Sequence, residues 1–278
     1  MSDLTYTHAV VLGIVEGLTE FLPVSSTGHL TITEGLLGLE VDSPAITSFT
    51  AVIQLGAIVA TLLYFARDIA RLAVAWFRGL RDKGKRDTVD YRLAWFVIAG
   101  SIPIGIVGFA LKDLITGPLR SLWVVVVALI AWSAVMWWAE AHASQRKGED
   151  ELTLRDAITI GVVQCFALIP GVSRSGATIS MGLLRGLDRV AATRLSFFLA
   201  IPALTAAGLY ELKDVDTSVV GWGQLGVGTV VSFVVALASI AWLLRFVARH
   251  PITVFIWYRV ALGVATALLL WTGVLLAT

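Results

Sequence analysis

The sequence predicts an all-α, polytopic membrane protein in which six transmembrane helices and two re-entrant helical hairpins form an inverted-topology repeat. Of the 278 residues, 57% are hydrophobic and 15% are charged, and the mean hydropathy is +0.84. Because a soluble domain carries about a quarter charged residues, we expect this chain in a membrane. The apolar runs are long enough for helices and strands of alternating polarity are missing, which argues against a β-barrel. The net charge of +1 gives no reason to expect a nucleic-acid partner.

Six apolar stretches of about 20 residues are each long enough to cross a bilayer. They run near 46–66, 92–111, 119–140, 192–211, 222–246 and 252–276. Two further apolar stretches, 8–39 and 157–187, are interrupted by Pro, Ser and Gly at their midpoints. Each half has about 12–15 residues, too few to cross roughly 30 Å of hydrocarbon. Such segments favour re-entrant hairpins, whose free backbone groups must face protein or a wet cavity.

The two interrupted stretches resemble each other when the sequence is shifted by 148 positions. The shift places Gly13, Val15, Val24, Ser25 and Gly28 on Gly161, Val163, Val172, Ser173 and Gly176. We therefore predict one membrane domain, 1–278, with repeat 1 at about 1–148 and repeat 2 at about 149–278. Each repeat holds one hairpin and three spans, and because three is odd, the second repeat enters the membrane from the opposite side. The two hairpins are then expected to meet near the midplane.

The distribution of Lys and Arg predicts the orientation. The loop 67–92 carries eight basic residues, namely Arg67, Arg71, Arg78, Arg81, Lys83, Lys85, Arg86 and Arg92. The positive-inside rule places this side in the cytoplasm, so both termini are expected outside. The start of the chain shows no basic region or cleavage site, and we predict no cleaved signal peptide.

The first interrupted stretch contains a polar cluster, EGLTEFLPVSSTGHL, at Glu16 to Leu30. Its members are two carboxylates, three hydroxyls and an imidazole: Glu16, Glu20, Ser25, Ser26, Thr27 and His29. The glutamates are four residues apart and share one helix face, where they can hold a divalent cation or act as a general base. One hydroxyl is a candidate nucleophile, with the histidine to activate it or to protonate the leaving oxygen. Polar groups are costly inside a membrane, so the default interpretation is a functional site.

The second interrupted stretch bends at Pro170 to Thr178, PGVSRSGAT. Pro170 and Gly171 make the turn, and Ser173 or Ser175 caps the following helix. Arg174 lies at the bend, where a bound anion would stabilise its guanidinium. Two helix N-termini and one arginine form a suitable cradle for phosphate or diphosphate.

Structural interpretations of the same residues remain open from the sequence alone. In one interpretation Ser25 and Thr27 cap a helix and have no catalytic role. Arg174 can form a buried structural bridge with Glu16 or Glu20. His29 can be a satisfied core histidine. Gln54 either lines the cavity or bonds a neighbouring helix, and Arg259 either snorkels to the surface or turns toward the core.

The two clusters resemble the motifs of a known family, the bacterial undecaprenyl-diphosphate phosphatases of the bacitracin-resistance type. Its first motif is Glu-x-x-x-Glu running into Pro-Val-Ser-Ser-Thr-Gly-His, which here is Glu16 to His29. Its second motif is Pro-Gly-x-Ser-Arg-Ser-x-x-Thr, which here is Pro170 to Thr178. Both are present without substitution, and their order and separation fit over essentially the whole chain.

The resemblance implies removal of the terminal phosphate from undecaprenyl diphosphate, which recycles the lipid carrier for peptidoglycan synthesis and confers bacitracin resistance. It implies a divalent cation, Mg²⁺ or Ca²⁺, and a site in the bacterial cytoplasmic (inner) membrane that opens to the outer face. The implied partners are this lipid substrate and membrane lipids, and a homodimer is left open.

Carried over by motif, the catalytic residues are Glu16, Glu20, Ser26, His29 and Arg174, the substrate-binding residues are Ser25, Thr27, Ser173, Arg174, Ser175 and Thr178, and the metal ligands are Glu16 and Glu20. The mechanism we expect is attack on the terminal phosphorus by Ser26, helped by His29. Direct attack by water, with Glu20 as base, is the main alternative. A carrier that flips polyprenyl phosphate is the alternative function, because inverted repeats with broken helices are also the architecture of transporters.

Overall fold

The computed structural model describes residues 4–41, 43–211 and 220–277, without the side chains at 116 and 211. Within these ranges the regular structure is helical, apart from one isolated bridge between Lys147 and Leu187. The α-helices are α1 (Tyr6–Thr19), α2 (Ser26–Leu36), α3 (Pro44–Tyr64), α4 (Ala66–Arg81), α5 (Val89–Ala110), α6 (Lys112–Thr116), α7 (Leu122–His142), α8 (Leu154–Gln164), α9 (Arg174–Leu184), α10 (Arg189–Glu211), α11 (Trp222–Val247) and α12 (Thr253–Trp271). Short 3₁₀ turns cover Lys83–Lys85, Pro118–Arg120, Glu149–Glu151 and Cys165–Leu168. The all-α prediction is confirmed.

Six of the described helices are long and apolar enough to cross a membrane: α3, α5, α7, α10, α11 and α12. They are the six predicted spans, with ends shifted by a few residues. The spans are helical because backbone groups inside hydrocarbon must hydrogen-bond within their own segment, and they need about 20 apolar residues to cross roughly 30 Å of hydrocarbon.

The loop prediction for 67–92 is wrong in its first half, because α4 occupies it. The basic residues conceal an amphipathic pattern, in which Ile69, Leu72 and Trp76 recur at helical spacing and pack into the core. Phe65 separates α3 from α4, so α4 turns away from α3 at the end of the bundle where the basic residues gather.

The two interrupted stretches each form a pair of short helices, α1 with α2 and α8 with α9. The bends have the same backbone: Ser25 and Ser173 both adopt φ 77°, a value rare for residues with a side chain. Each serine also caps its helix, accepting a hydrogen bond from the amide of Gly28 or Gly176. These positions are the ones that the 148-residue shift aligns, so the duplicated pattern extends to backbone geometry.

The first helix of each hairpin packs closely on a spanning helix of the other repeat. α1 packs on α11 and α8 packs on α5. A Cβ at Gly13 would lie 2.7 Å from the carbonyl oxygen of Gly228, and one at Gly161 would lie 2.1 Å from that of Gly100. Only glycine permits this approach at the two aligned positions.

The described ends of the chain lie at the end of the bundle where α7 and α11 begin. Gln224 donates a hydrogen bond to the Leu4 carbonyl, and Ser121 donates one to the Ala277 carbonyl. α4 lies at the other end, after the last turn of α3 and before the first turn of α5.

Asp156 anchors the start of α8 at the α4 end of the bundle. Its carboxylate is fully buried and accepts hydrogen bonds from Thr153, Arg185 and Lys147. Burial alone would raise the pKa of this carboxyl group, but the hydrogen bonds outweigh burial and hold its pKa below the ordinary value.

Candidate active site

The bends of the two hairpins contact each other directly. Ser25 Oγ accepts a hydrogen bond from the Gly171 amide at 3.1 Å, and Ser175 Oγ donates one to the Leu22 carbonyl at 2.8 Å. Glu20 and Arg174 form a buried ion pair at 3.4 Å. Residues about 150 positions apart in the chain are thereby joined, and the predicted convergence of the two clusters is confirmed.

A cavity of about 530 Å³ opens at this junction. Six of the predicted site residues line it: Glu20, Ser25, Ser26, Thr27, Ser173 and Arg174. Its remaining walls are mostly apolar and come largely from α5 and α10, with Lys112 at the start of α6 and Tyr210 in the last turn of α10 at the rim. A cavity with one polar end and apolar walls suits an amphipathic ligand.

Glu20 is the centre of the polar end. Its Oε2 accepts hydrogen bonds from Ser26 Oγ at 2.6 Å and from Gln54 Nε2 at 3.1 Å, and its Oε1 faces Arg174. A carboxylate at this distance from a hydroxyl can accept the hydroxyl proton. Gln54 also lines the cavity, so both open interpretations of this residue hold at once. Its position inside an apolar span is the signal that marks it.

Arg174 is held between the two hairpins and α10. One guanidinium nitrogen donates to the Ser196 carbonyl at 2.8 Å, and another faces Glu20. Thr178 donates to Ser196 Oγ at 2.7 Å and so fixes the same turn of α10. The Arg174 Nε–H is buried without a partner in the described part of the chain. The structural bridge to Glu20 is therefore present, and one guanidinium donor is left without a partner among the described residues.

Two helix N-termini meet at the cavity. α2 begins at Ser26 and α9 begins at Arg174, and the capping serines Ser25 and Ser173 both line the wall. The positive ends of both helix dipoles, together with the guanidinium, make this an anion-binding environment.

Glu16 lies behind the cavity wall and is fully buried. Glu20 and Arg174 are its charged neighbours, and Gln54 is close. Neither carboxylate oxygen has a hydrogen-bond partner of good geometry among the described residues. An ionised carboxylate in this position is costly unless a cation or a proton compensates it.

His29 does not reach the cavity, in contrast to the expected role beside Ser26. Its Nδ1 is 2.7 Å from the Ser25 carbonyl, and its Nε2 is 2.7 Å from the hydroxyl of Tyr258, on which the ring stacks. Because a carbonyl only accepts, Nδ1 carries the proton and Nε2 accepts from the tyrosine. The ring thus holds the Ser25 backbone, and the structure brings Glu20, not His29, to the hydroxyl of Ser26.

Arg259 turns toward the core and is fully buried. It donates to the carbonyl of Gly171 at 2.8 Å, to Ser133 Oγ at 3.2 Å and to the carbonyl of Pro23 at 3.4 Å. No carboxylate pairs with it within the described ranges. It therefore ties the bends of both hairpins to α12.

The sequence of this chain matches the model of the bacitracin resistance protein BacA family over residues 9–265. This chain belongs to the BacA family. It is 59% identical to undecaprenyl-diphosphatase 1 of Streptomyces coelicolor over 276 residues, 99% of each chain. It is also 59% identical to undecaprenyl-diphosphatase 3 of Frankia casuarinae, over 98% of this chain and 99% of the relative. With the undecaprenyl-diphosphatase of Acidothermus cellulolyticus it shares 58% identity over 95% of this chain and 96% of the relative.

The BacA resemblance implies a divalent cation, and the residues present fit one in part. The unpaired oxygens of Glu16 and the cavity-facing carboxylate of Glu20 are the hard ligands that Mg²⁺ and Ca²⁺ prefer. No group of three or more His, Cys, Asp or Glu that could hold a metal occurs in the described part of the chain. The remaining ligands would have to come from water and a bound diphosphate, as is usual for Mg²⁺ at phosphate sites.

Proposed function

We propose that this chain is an integral membrane phosphatase that hydrolyses undecaprenyl diphosphate to undecaprenyl phosphate and inorganic phosphate. The observation that carries the proposal is the junction of Glu20, Ser26 and Arg174 in one cavity. It combines an acceptor for a proton, a nucleophile and an anion-binding cation. The names of the relatives in Streptomyces, Frankia and Acidothermus support the choice of substrate.

The substrate is held with its diphosphate at the two bends. The guanidinium of Arg174, which lines the cavity, and the free amides at the starts of α2 and α9 bind the phosphate oxygens. The first isoprene units lie along the apolar walls between α5 and α10, and the rest of the tail lies in the bilayer. A cation bound by Glu16 and Glu20 would neutralise part of the diphosphate charge.

In the reaction, Ser26 Oγ attacks the terminal phosphorus while Glu20 Oε2 accepts the hydroxyl proton across the 2.6 Å hydrogen bond. The bond between the terminal phosphorus and the bridging oxygen breaks, and undecaprenyl phosphate leaves. Glu20 then gives this proton to the bridging oxygen of the departing undecaprenyl phosphate and is ionised again. Water attacks the phosphoserine with Glu20 as base, and the bond between phosphorus and Ser26 Oγ breaks. Oγ takes the proton back from Glu20, and inorganic phosphate is released. Arg174 compensates the charge of the transferring group. His29 positions the Ser25 backbone rather than acting on the substrate.

The cavity rim at Lys112 and Tyr210 lies at the end of α5 and α10 remote from the basic residues of α4. The positive-inside rule then supports a cytoplasmic membrane protein whose site opens to the outer face, with both ends of the chain outside. The short helix pairs are re-entrant in this arrangement, because neither member is long enough to span.

The test is phosphate release from undecaprenyl diphosphate by the purified chain in detergent, where no transmembrane gradient exists. Ser26→Ala and Arg174→Ala are expected to lower kcat by about 10³-fold or more. Ser101→Ala is the matched control, because Ser101 lines the same cavity and, within the described residues, its side chain bonds the Val97 carbonyl of its own helix. A phosphoserine trapped at Ser26 would support the covalent step.

Near-normal turnover by Ser26→Ala would reject that step and leave direct attack by water, with Glu20 as base. Absence of phosphate release by the wild-type chain would reject the phosphatase itself and favour a carrier for polyprenyl phosphate. Loss of activity with a chelator, and its return with Mg²⁺ or Ca²⁺, would test the cation.

A further inference from the structure

Helix α4 has three distinct longitudinal faces. Leu72 and Gly79 are buried and form the face toward the protein, with Gly79 close against the ring of Tyr91 on α5. At about 100° per residue, the next face around the helix carries Leu80 and Phe77, and Val74 follows about 60° beyond Phe77, where this face meets the basic one. These three side chains are 43%, 56% and 47% exposed, so the second face is apolar and uncovered.

The third face is basic and borders the apolar one. It carries Arg67, Arg71, Arg78 and Arg81, all exposed. Of these, Arg71 pairs with Asp68 and Asp90. A helix that lies at a membrane interface has this order of faces, with protein on one side, apolar side chains next and arginines beyond them.

The connections of α4 keep it at the bilayer surface. It begins two residues after the end of α3, which is long and apolar enough to span. Trp76 contacts both Phe77 and Trp95 edge-on, with ring centroids 5.0 and 5.7 Å apart. Trp95 is an exposed residue of α5, so the apolar face of α4 continues onto the lipid-facing surface of a spanning helix.

We propose that the exposed face of α4 is a binding surface for anionic phospholipids of the adjacent leaflet. The side chains of Val74, Phe77 and Leu80 enter the acyl-chain region, and Arg67, Arg78 and Arg81 hold the negatively charged headgroups. Charge complementarity selects this occupant, because a neutral lipid would leave the arginines uncompensated and an apolar protein partner would bury them.

The test measures the lipid preference of this face in the full-length chain reconstituted in vesicles. A fluorophore is attached through Val74→Cys in a Cys165→Ala background, and a second preparation carries it through Lys83→Cys in the loop after α4. Brominated phosphatidylglycerol is titrated against brominated phosphatidylcholine, and the quenching gives the relative association constant of the two lipids. We expect strong quenching at position 74, weak quenching at 83, and a preference for phosphatidylglycerol of roughly fivefold or more.

A matched pair of variants tests the role of the arginines. Arg78→Gln with Arg81→Gln is expected to bring the preference close to one, and high salt is expected to reduce it in the wild type. Arg245→Gln with Arg249→Gln removes the same charge from exposed positions at the same end of the bundle and leaves the preference unchanged. Equal association of both lipids in the wild-type chain would overturn the proposal. So would the absence of quenching at position 74, or excimer formation between pyrene labels there, which would identify a second copy as the occupant.

Discussion

Replacing Arg259 with methionine separates catalytic geometry from stability. The variant loses all the Arg259 donors, of which those to the Gly171 carbonyl and to Ser133 Oγ make the shortest hydrogen bonds, at 2.8 and 3.2 Å. Hydrogen bonds from a charged group contribute about 1.5–3 kcal/mol each, so roughly 3–6 kcal/mol is lost. Removing a buried charge that has no carboxylate partner among the described residues relieves a desolvation cost of several kcal/mol. We therefore expect the stability to change by only about 2 kcal/mol or less.

The catalytic effect is expected to be much larger. Arg259 donates hydrogen bonds to the Gly171 and Pro23 carbonyls, one in each bend, and so holds the two bends together. A displacement of about 1 Å at a catalytic centre costs on the order of 10²-fold, and we expect kcat to fall by that factor. Arg259→Lys keeps the charge but has one nitrogen, which cannot reach both bends, so its kcat should lie in between.

The assay pairs thermal unfolding in detergent with phosphate release from undecaprenyl diphosphate. Arg245→Met is the control, because this exposed arginine contacts neither bend, and it should change neither measurement. A folded Arg259→Met variant with wild-type kcat would refute the reasoning, since the bends would then keep their geometry without the arginine.

Two further predictions concern one hydrogen bond and one ionisation. Gln54→Leu removes the donor to Glu20 Oε2 and should lower kcat by about 10- to 100-fold. The control Gln224→Leu changes a glutamine remote from the site and should leave kcat unchanged. Equal kcat in the two variants would contradict the role of Gln54 in positioning Glu20. Because the pKa of Asp156 is lowered in the folded chain, its stabilisation is complete above the ordinary value of about 3.9 and is lost as the pH falls through the lower folded-state pKa. In Asp156→Asn, the unfolding temperature should therefore fall less steeply below about pH 4 than in the wild type. Asp150→Asn, at an exposed position, should keep the wild-type pH dependence. An unchanged pH profile in Asp156→Asn would show that the Asp156 carboxylate is not the titrating group.

The sequence predicts the spans well because hydrocarbon imposes a strict length and polarity on each. It also predicts the bends, since Pro23 and Pro170 interrupt apolar runs in the middle. The meeting of Glu20 with Arg174 follows from the inverted repeat and the cost of an isolated charge in a membrane.

The direction of the His29 ring is beyond sequence reasoning. It depends on Tyr258, which is 229 residues away in the chain, and on a local bond to the Ser25 carbonyl. The partners of Arg259 are likewise carbonyl groups, which every residue carries and no pattern marks. Helix α4 is missed from the sequence for a different reason. Its many arginines resemble those of a polar loop, and the helical spacing of its apolar residues is apparent only when the residues are plotted around a helix axis.

Ser25 and Ser173 give the two bends one shape, yet the next residue is a hydroxyl in one and a guanidinium in the other. The aligned pair nine residues before these serines also differs, with a carboxylate at Glu16 and an amide at Gln164, both fully buried. The two bends therefore have nearly the same backbone, and the differences between the two sides of the cavity come from their side chains. Exchanging these pairs between the two repeats would reverse the orientation of a bound anion and would require almost no change in the backbone.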